Sequence, residues 1–124
     1  MYLDIRTDLK ALKIEPWELC KVLANIIDNG ITALQINKDE KEIHIEILQR
    51  EDIYYFEIKN NGPIISNEQS QLIFQEGYTT NKESGHGMGL YIVKKIVEEA
   101  GGKIELMSNK EWTSFIISLP RKKV

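Results

Sequence analysis

Three glycines at alternate positions, Gly85, Gly87 and Gly89, stand directly before a helical pattern that runs from Tyr91 to Ala100. Each glycine costs backbone entropy and brings no side chain to pack, so a core has no use for them. They suit a tight turn whose bare N–H groups approach something bulky and negative. A helix that starts there adds its unpaired amides and the positive end of its dipole, which makes the junction a ready phosphate site. A flexible hinge would carry the same glycines, so the choice between the two depends on what lies upstream.

The helix after the glycines has Leu90, Val93, Ile96, Val97 and Ala100 on one face and Lys94, Lys95, Glu98 and Glu99 on the other, and Gly101-Gly102 ends it. Pro16 suits a helix start, and from Trp17 to about Gln35 the residues Leu19, Val22, Leu23, Ile26, Ile27 and Leu34 fall on one side. Asn25 and Asn29 lie one turn apart along the edge of that side. Asparagine is a mediocre helix former, so two in register are either solvated amides or a wall turned toward a ligand or its metal.

Strand patterns fill the remainder. Tyr2 to Ile5 is a short candidate, Ile43 to Leu48 alternates, and Ile53 to Ile58 follows across Arg50-Glu51-Asp52. The turn formers Lys59-Asn60-Asn61-Gly62-Pro63 come next, then a short helix to Ile73 capped by Ser66. Phe74 to Ser84 has no periodicity and reads as a long functional loop. Ile104 to Met107 and Thr113 to Leu119 form a closing hairpin around Ser108-Asn109-Lys110. The order predicts an α/β two-layer sandwich, a mostly antiparallel sheet covered by helices on one face.

Composition narrows the function. The 124 residues suit one domain, 42% hydrophobic, with net charge −3 and a pI near 5.4, so no basic surface argues for nucleic acid. No apolar run approaches the roughly 20 residues that cross a bilayer, and no signal-peptide pattern opens the chain. Cys20, the one cysteine, is expected to be a buried reduced thiol inside its helix.

Four segments together resemble the ATP-binding catalytic domain of bacterial sensor histidine kinases. Asn25-Ile26-Ile27-Asp28-Asn29 is similar to the N box and Asn60-Asn61-Gly62-Pro63-Ile64-Ile65 to the first glycine box. Phe74-Gln75-Glu76-Gly77-Tyr78-Thr79-Thr80 is similar to the phenylalanine box and Gly85-His86-Gly87-Met88-Gly89-Leu90 to the second glycine box. They occur in the family's order. The resemblance spans residues 1–124 and implies the Bergerat ATP-binding fold, a mixed, mostly antiparallel sheet under one layer of helices. Ile31-Thr32-Ala33-Leu34 looks most like the citrate/malate-sensing and peptide-quorum kinases.

The resemblance implies ATP and Mg²⁺ as cofactors. Asn29 would ligate the ion through its amide oxygen, and Asn25 would support the metal or a phosphate. Asn60 stands where the family usually has an aspartate that accepts from the adenine amino group; asparagine can still accept, without the charge. Gly62 and Ile65 would lie against the base, with Ile64 in place of a common second glycine. Tyr78, Thr79, Thr80 and Lys82 would form part of a lid over the triphosphate. Gly85, His86, Gly87, Met88, Gly89 and Leu90 would line the phosphates.

The family's hydrolases and serine kinases carry a glutamate general base where this chain has Asn25, which takes no proton at neutral pH. Transfer of the γ-phosphate to a histidine is therefore the expected reaction. Neither His44 nor His86 suits the acceptor role, so the acceptor is expected on a separate dimerisation domain of a longer parent, upstream of Met1, with Pro120 to Val124 as its end. A response regulator would be the downstream partner. The domain would be cytoplasmic with no membrane contact, any inner-membrane anchor belonging to the parent. Two alternatives stay open: a free-standing serine kinase or ATPase of the same fold, and a degenerate docking domain that no longer uses ATP.

Overall fold

Residues 2–34, 41–75 and 89–122 are described by a computed structural model of the chain. Strand β1 (Tyr2–Ile5) precedes helix α1 (Pro16–Leu34), strands β2 (Ile43–Arg50) and β3 (Ile53–Asn60) and the short helix α2 (Asn67–Leu72). Helix α3 (Gly89–Glu99) and strands β4 (Lys103–Ser108) and β5 (Thr113–Pro120) complete the order. The sheet runs β1-β2-β3-β5-β4, with β1 parallel to β2 and the other pairs antiparallel. The mixed, mostly antiparallel sheet expected from the sequence is what forms.

Alternation decides which face carries the helices. Ile43, Ile45 and Ile47 on β2, Tyr54, Phe56 and Ile58 on β3, and Phe115, Ile117 and Leu119 on β5 are buried and belong to one core. Val22 and Ile26 of α1 and Val93 and Val97 of α3 are buried in that same core. Because side chains alternate along a strand, the row Tyr54, Phe56, Ile58 continues at Asn60, which places a polar amide on the helix-covered face at the end of β3. Register sets Asn60 between Ile43 of β2 and Thr113 of β5.

Helix ends follow their local chemistry. Ser66 and Gln69 form a reciprocal capping box at α2. Past α3, Gly101 takes φ +81°, and Gly102 N–H closes the helix on the Val97 carbonyl at 2.9 Å. A Cβ on Gly102 would collide with the Ser118 carbonyl oxygen, so that stop also seats α3 on β5. The β2–β3 hairpin is tighter than expected. Arg50 pairs with Ile53, leaving Glu51 and Asp52 as the turn, with Glu51 at φ 55°.

Cys20 corrects an expectation. It is a free, exposed thiol, not a buried one. It precedes Val22 by two residues, about 200° around a helix, and so lies opposite the buried face. Trp17, 65% exposed, and Ile31, 47% exposed, also lie outside the buried face. Among the described residues no helix is long and apolar enough to cross a membrane.

Candidate functional site

Asn25 and Asn29 on one edge of α1, and Gly30 on the adjoining buried side, face two other elements, and each of the two approaches is fitted with a glycine. At the first end, α3 begins at Gly89. A Cβ there would stand 2.9 Å from Asn25 Oδ1, closer than real Cβ contacts come. The missing side chain lets the start of α3 approach the Asn25 amide. Asn25 Nδ2 donates to the Lys21 carbonyl at 2.8 Å, which turns the oxygen toward that helix start and the positive end of its dipole. Asn29, one turn later, is half-buried on the same helix.

The other end lies over the tip of β3. Gly30 is buried, and a Cβ on it would stand 3.3 Å from Asn60 Nδ2. Asn60 is 5% exposed, and its Oδ1 accepts from Gly62 N–H at 2.9 Å. The oxygen expected to be free for a base is thus already engaged, because the chain turns back on it within two residues.

A run of hydroxyls fastens the turn after Gly62. Ile65 N–H donates to Ser108 Oγ at 2.8 Å, Ser108 Oγ lies 2.7 Å from Thr113 Oγ1, and Thr113 Oγ1 donates to the Pro63 carbonyl at 3.4 Å. Each hydroxyl has one proton, so if Thr113 spends its own on Pro63, Ser108 must be the donor between the two. The result is a one-directional relay that closes the Pro63–Ile65 turn onto the β4–β5 hairpin, with Thr113 only 2% exposed. Alongside it, Asn61 Oδ1 accepts from Glu42 N–H at 2.8 Å, tying the same strand end to the entry of β2.

Of the residues singled out in the sequence, Asn25 and Gly89 meet directly, and Leu90 is buried in the core. Asn60 and Gly62 meet at the opposite end, where Ile65 packs against the core. Phe74 is half-buried, its ring edge-on to Phe115 at 6.2 Å and capped by Lys94 Nζ at 5.7 Å. Gly77, Tyr78, Thr79, Thr80, Lys82, Gly85, His86, Gly87 and Met88 lie outside the described residues. Three contributors were missed: Gly30, Ser108 and Thr113. A glycine inside a strong helical pattern is itself a signal of close approach. Thr113 could have been found by noticing that it shares the face of Phe115 and Ile117.

The donor set fits a magnesium-chelated nucleotide better than a bare metal. Among the described residues no three His, Cys, Asp or Glu side chains group together as a metal cage. Neutral amide oxygens are hard ligands that suit Mg²⁺ when phosphates supply the charge. At both glycines the bare Cα lets an asparagine amide come close, at one helix start and at one strand end.

Comparison with known proteins gives a consistent picture. Residues 15–123 match the family described as histidine kinase-, DNA gyrase B- and HSP90-like ATPase. A probable C4-dicarboxylate sensor kinase of Halalkalibacterium halodurans is 34% identical over 108 residues, covering 86% of this chain and 20% of that protein. The sensor protein CitS of the same organism is 33% identical over 105 residues, covering 83% and 20%. The chain thus spans about a fifth of the length of these relatives, both of which fit the citrate/malate-type resemblance. The catalytic domain of histidine kinase ThkA, in a nucleotide-free form, superposes with TM-score 0.77 at 27% identity, over 98% of this chain and 79% of that one.

Proposed function

The chain belongs to the histidine kinase-, DNA gyrase B- and HSP90-like ATPase family, and from that premise we propose that it is the ATP-binding catalytic domain of a longer sensor histidine kinase. The supporting observation is the meeting of Asn25 Oδ1 with the bare Cα of Gly89, which brings the asparagine helix and the glycine-led helix to one point. Asn29 and Asn25 would hold Mg²⁺ and phosphate oxygens, while Asn60, Gly62 and Ile65 would take the base. Tyr78, Thr79, Thr80, Lys82 and the stretch from Gly85 to Leu90 would enclose the triphosphate. The bound ion would neutralise charge on the phosphates.

Transfer to histidine is favoured over hydrolysis by the chemistry of Asn25. Its amide carries no titratable proton, and its Nδ2 is occupied by the Lys21 carbonyl. No side chain at that position can activate water or a serine hydroxyl. An imidazole acceptor is nucleophilic without such help, so the domain has to orient the nucleotide and exclude water. The acceptor histidine would lie on a dimerisation domain of the parent and pass the phosphoryl group to a response regulator.

The test is transfer of label from γ-labelled ATP to an added dimerisation domain from a citrate- or C4-dicarboxylate-type relative. The expected product is an acid-labile, alkali-stable phosphoprotein, formed only with Mg²⁺. Steady phosphate release without an acceptor would support an ATPase instead. A melting temperature unmoved by millimolar Mg-ATP would support the docking-domain alternative, since ligand at about a hundred times its Kd adds roughly 2.7 kcal/mol.

A further inference from the structure

The orientation of one buried amide bears on which base the site accepts, given the nucleotide reading above. A backbone N–H is only a donor, so the Asn60 atom facing Gly62 N at 2.9 Å has to be the oxygen. Chemistry alone therefore excludes the flipped amide. Nδ2 lies on the other branch, against the bare Cα of Gly30. Among the described residues Nδ2 donates to no protein acceptor, yet no buried side-chain polar atom there lacks a partner. Nδ2 therefore keeps contact with solvent in the gap between α1 and the end of β3. The group left free at this end of the site is an amino donor.

A carboxylate in the same place would offer a second acceptor oxygen, which pairs with the 6-amino group of adenine. An amino donor pairs instead with the 6-oxo group of guanine or hypoxanthine. We propose that the base end of this site takes 6-oxopurine triphosphates at least as tightly as ATP. Nδ2–H donates to O6, whereas adenine can offer Nδ2 only a ring nitrogen, its 6-amino group meeting Nδ2 donor to donor. The amino group is left with the second lone pair of an Oδ1 that already serves Gly62. A neutral hydrogen bond gained or lost at a buried position changes affinity by about three- to tenfold.

The experiment measures Kd by calorimetry, with Mg²⁺ present, for ATP, inosine triphosphate and purine riboside triphosphate, the last lacking any 6-substituent. The unaltered chain is expected to bind inosine triphosphate as tightly as ATP or tighter, and about three- to tenfold tighter than the unsubstituted purine. Asn60→Asp is expected to move the preference about tenfold toward ATP, with circular dichroism checking the fold. If that variant does not fold, the three-nucleotide series on the unaltered chain decides alone. ATP binding tenfold tighter than inosine triphosphate overturns the proposal, as does equal binding of inosine triphosphate and the unsubstituted purine. Failure of all three to saturate overturns the nucleotide site itself, and the base preference with it.

Discussion

The two ends of the α1 edge are built in opposite ways. At the base end, the strand tip at Asn60 is fixed by the β2 and β5 ladders, by Gly62 folding back on it, and by the Ser108–Thr113 relay under Pro63–Ile65. Apart from the Gly62 bond and the Ser108–Thr113 contact, these join segments separated in the chain. At the other end, Asn25 meets the first residue of a helix, and most of the residues expected around the phosphates form one continuous stretch before it. Recognition of a base depends on fixed donors and acceptors, whereas a triphosphate needs amides and positive dipole ends that many loop paths can supply. A mutation that cuts one of these base-end contacts should therefore register in stability as well as binding. One at the phosphate end should register in binding alone.

The hardest test of that contrast is Thr113→Val. The shape is kept, but the relay is cut at its middle: Ser108 loses its acceptor and the Pro63 carbonyl its donor. Two part-buried groups left without a partner cost together about 1–2 kcal/mol, readable by urea unfolding, and nucleotide affinity should drop with it. A change under about 0.5 kcal/mol, the range of ordinary surface substitutions, would mean that the base end is no more prebuilt than the other.

Asn29→Ala probes the opposite end and should split binding from stability. Asn29 is half-buried on α1, and alanine is the better helix former, so stability should hold or rise slightly. The Mg²⁺-dependent part of ATP affinity should fall about tenfold, the equivalent of roughly 1.4 kcal/mol. Unchanged Mg-ATP affinity would remove Asn29 from the metal. Gly89→Ala should be milder. Its Cβ would come within 2.9 Å of Asn25 Oδ1, the end of a side chain that can swing, so a few-fold loss of affinity with little loss of stability is expected. A large loss of stability there would break the contrast.

Local and distant contacts also divide what could be read in the sequence. The 3.6-residue period was enough to place Asn25 and Asn29 on one edge of α1, and alternation was enough to pair β2 with β3. Ser66 announced its own cap, because its partner Gln69 is three residues away. Thr113 was legible only as a strand start, since its partner Pro63 lies 50 positions off and no local pattern links them. The engaged state of Asn60 Oδ1 was missed for a different reason. Gly62 is nearby, but a turn-forming string does not reveal which side-chain atom its N–H groups will choose. Cys20 was misjudged by residue type, where counting around the helix from Val22 would have placed it outside.

Gly30→Ala carries the smallest expected effect and bears most directly on the base end. Two effects oppose each other. Alanine in a helix interior is favoured over glycine by up to about 1 kcal/mol. Against that, the new methyl would stand 3.3 Å from Asn60 Nδ2, so something must give by a few tenths of an ångström. The α1 backbone is held by its own ladder and Asn60 by its strand, which leaves rotation of the amide as the soft path. That rotation lengthens the 2.9 Å bond to Gly62, so much of the helical gain is lost and net stability should move by less than about 0.5 kcal/mol. The methyl should also shield Nδ2 from a ligand. Any advantage of inosine triphosphate over ATP should therefore shrink, while the Mg²⁺ dependence set at Asn29 stays as it was. If the methyl changed the Mg²⁺ dependence and left base preference untouched, the two ends would be coupled along α1 and could not be treated as separate devices.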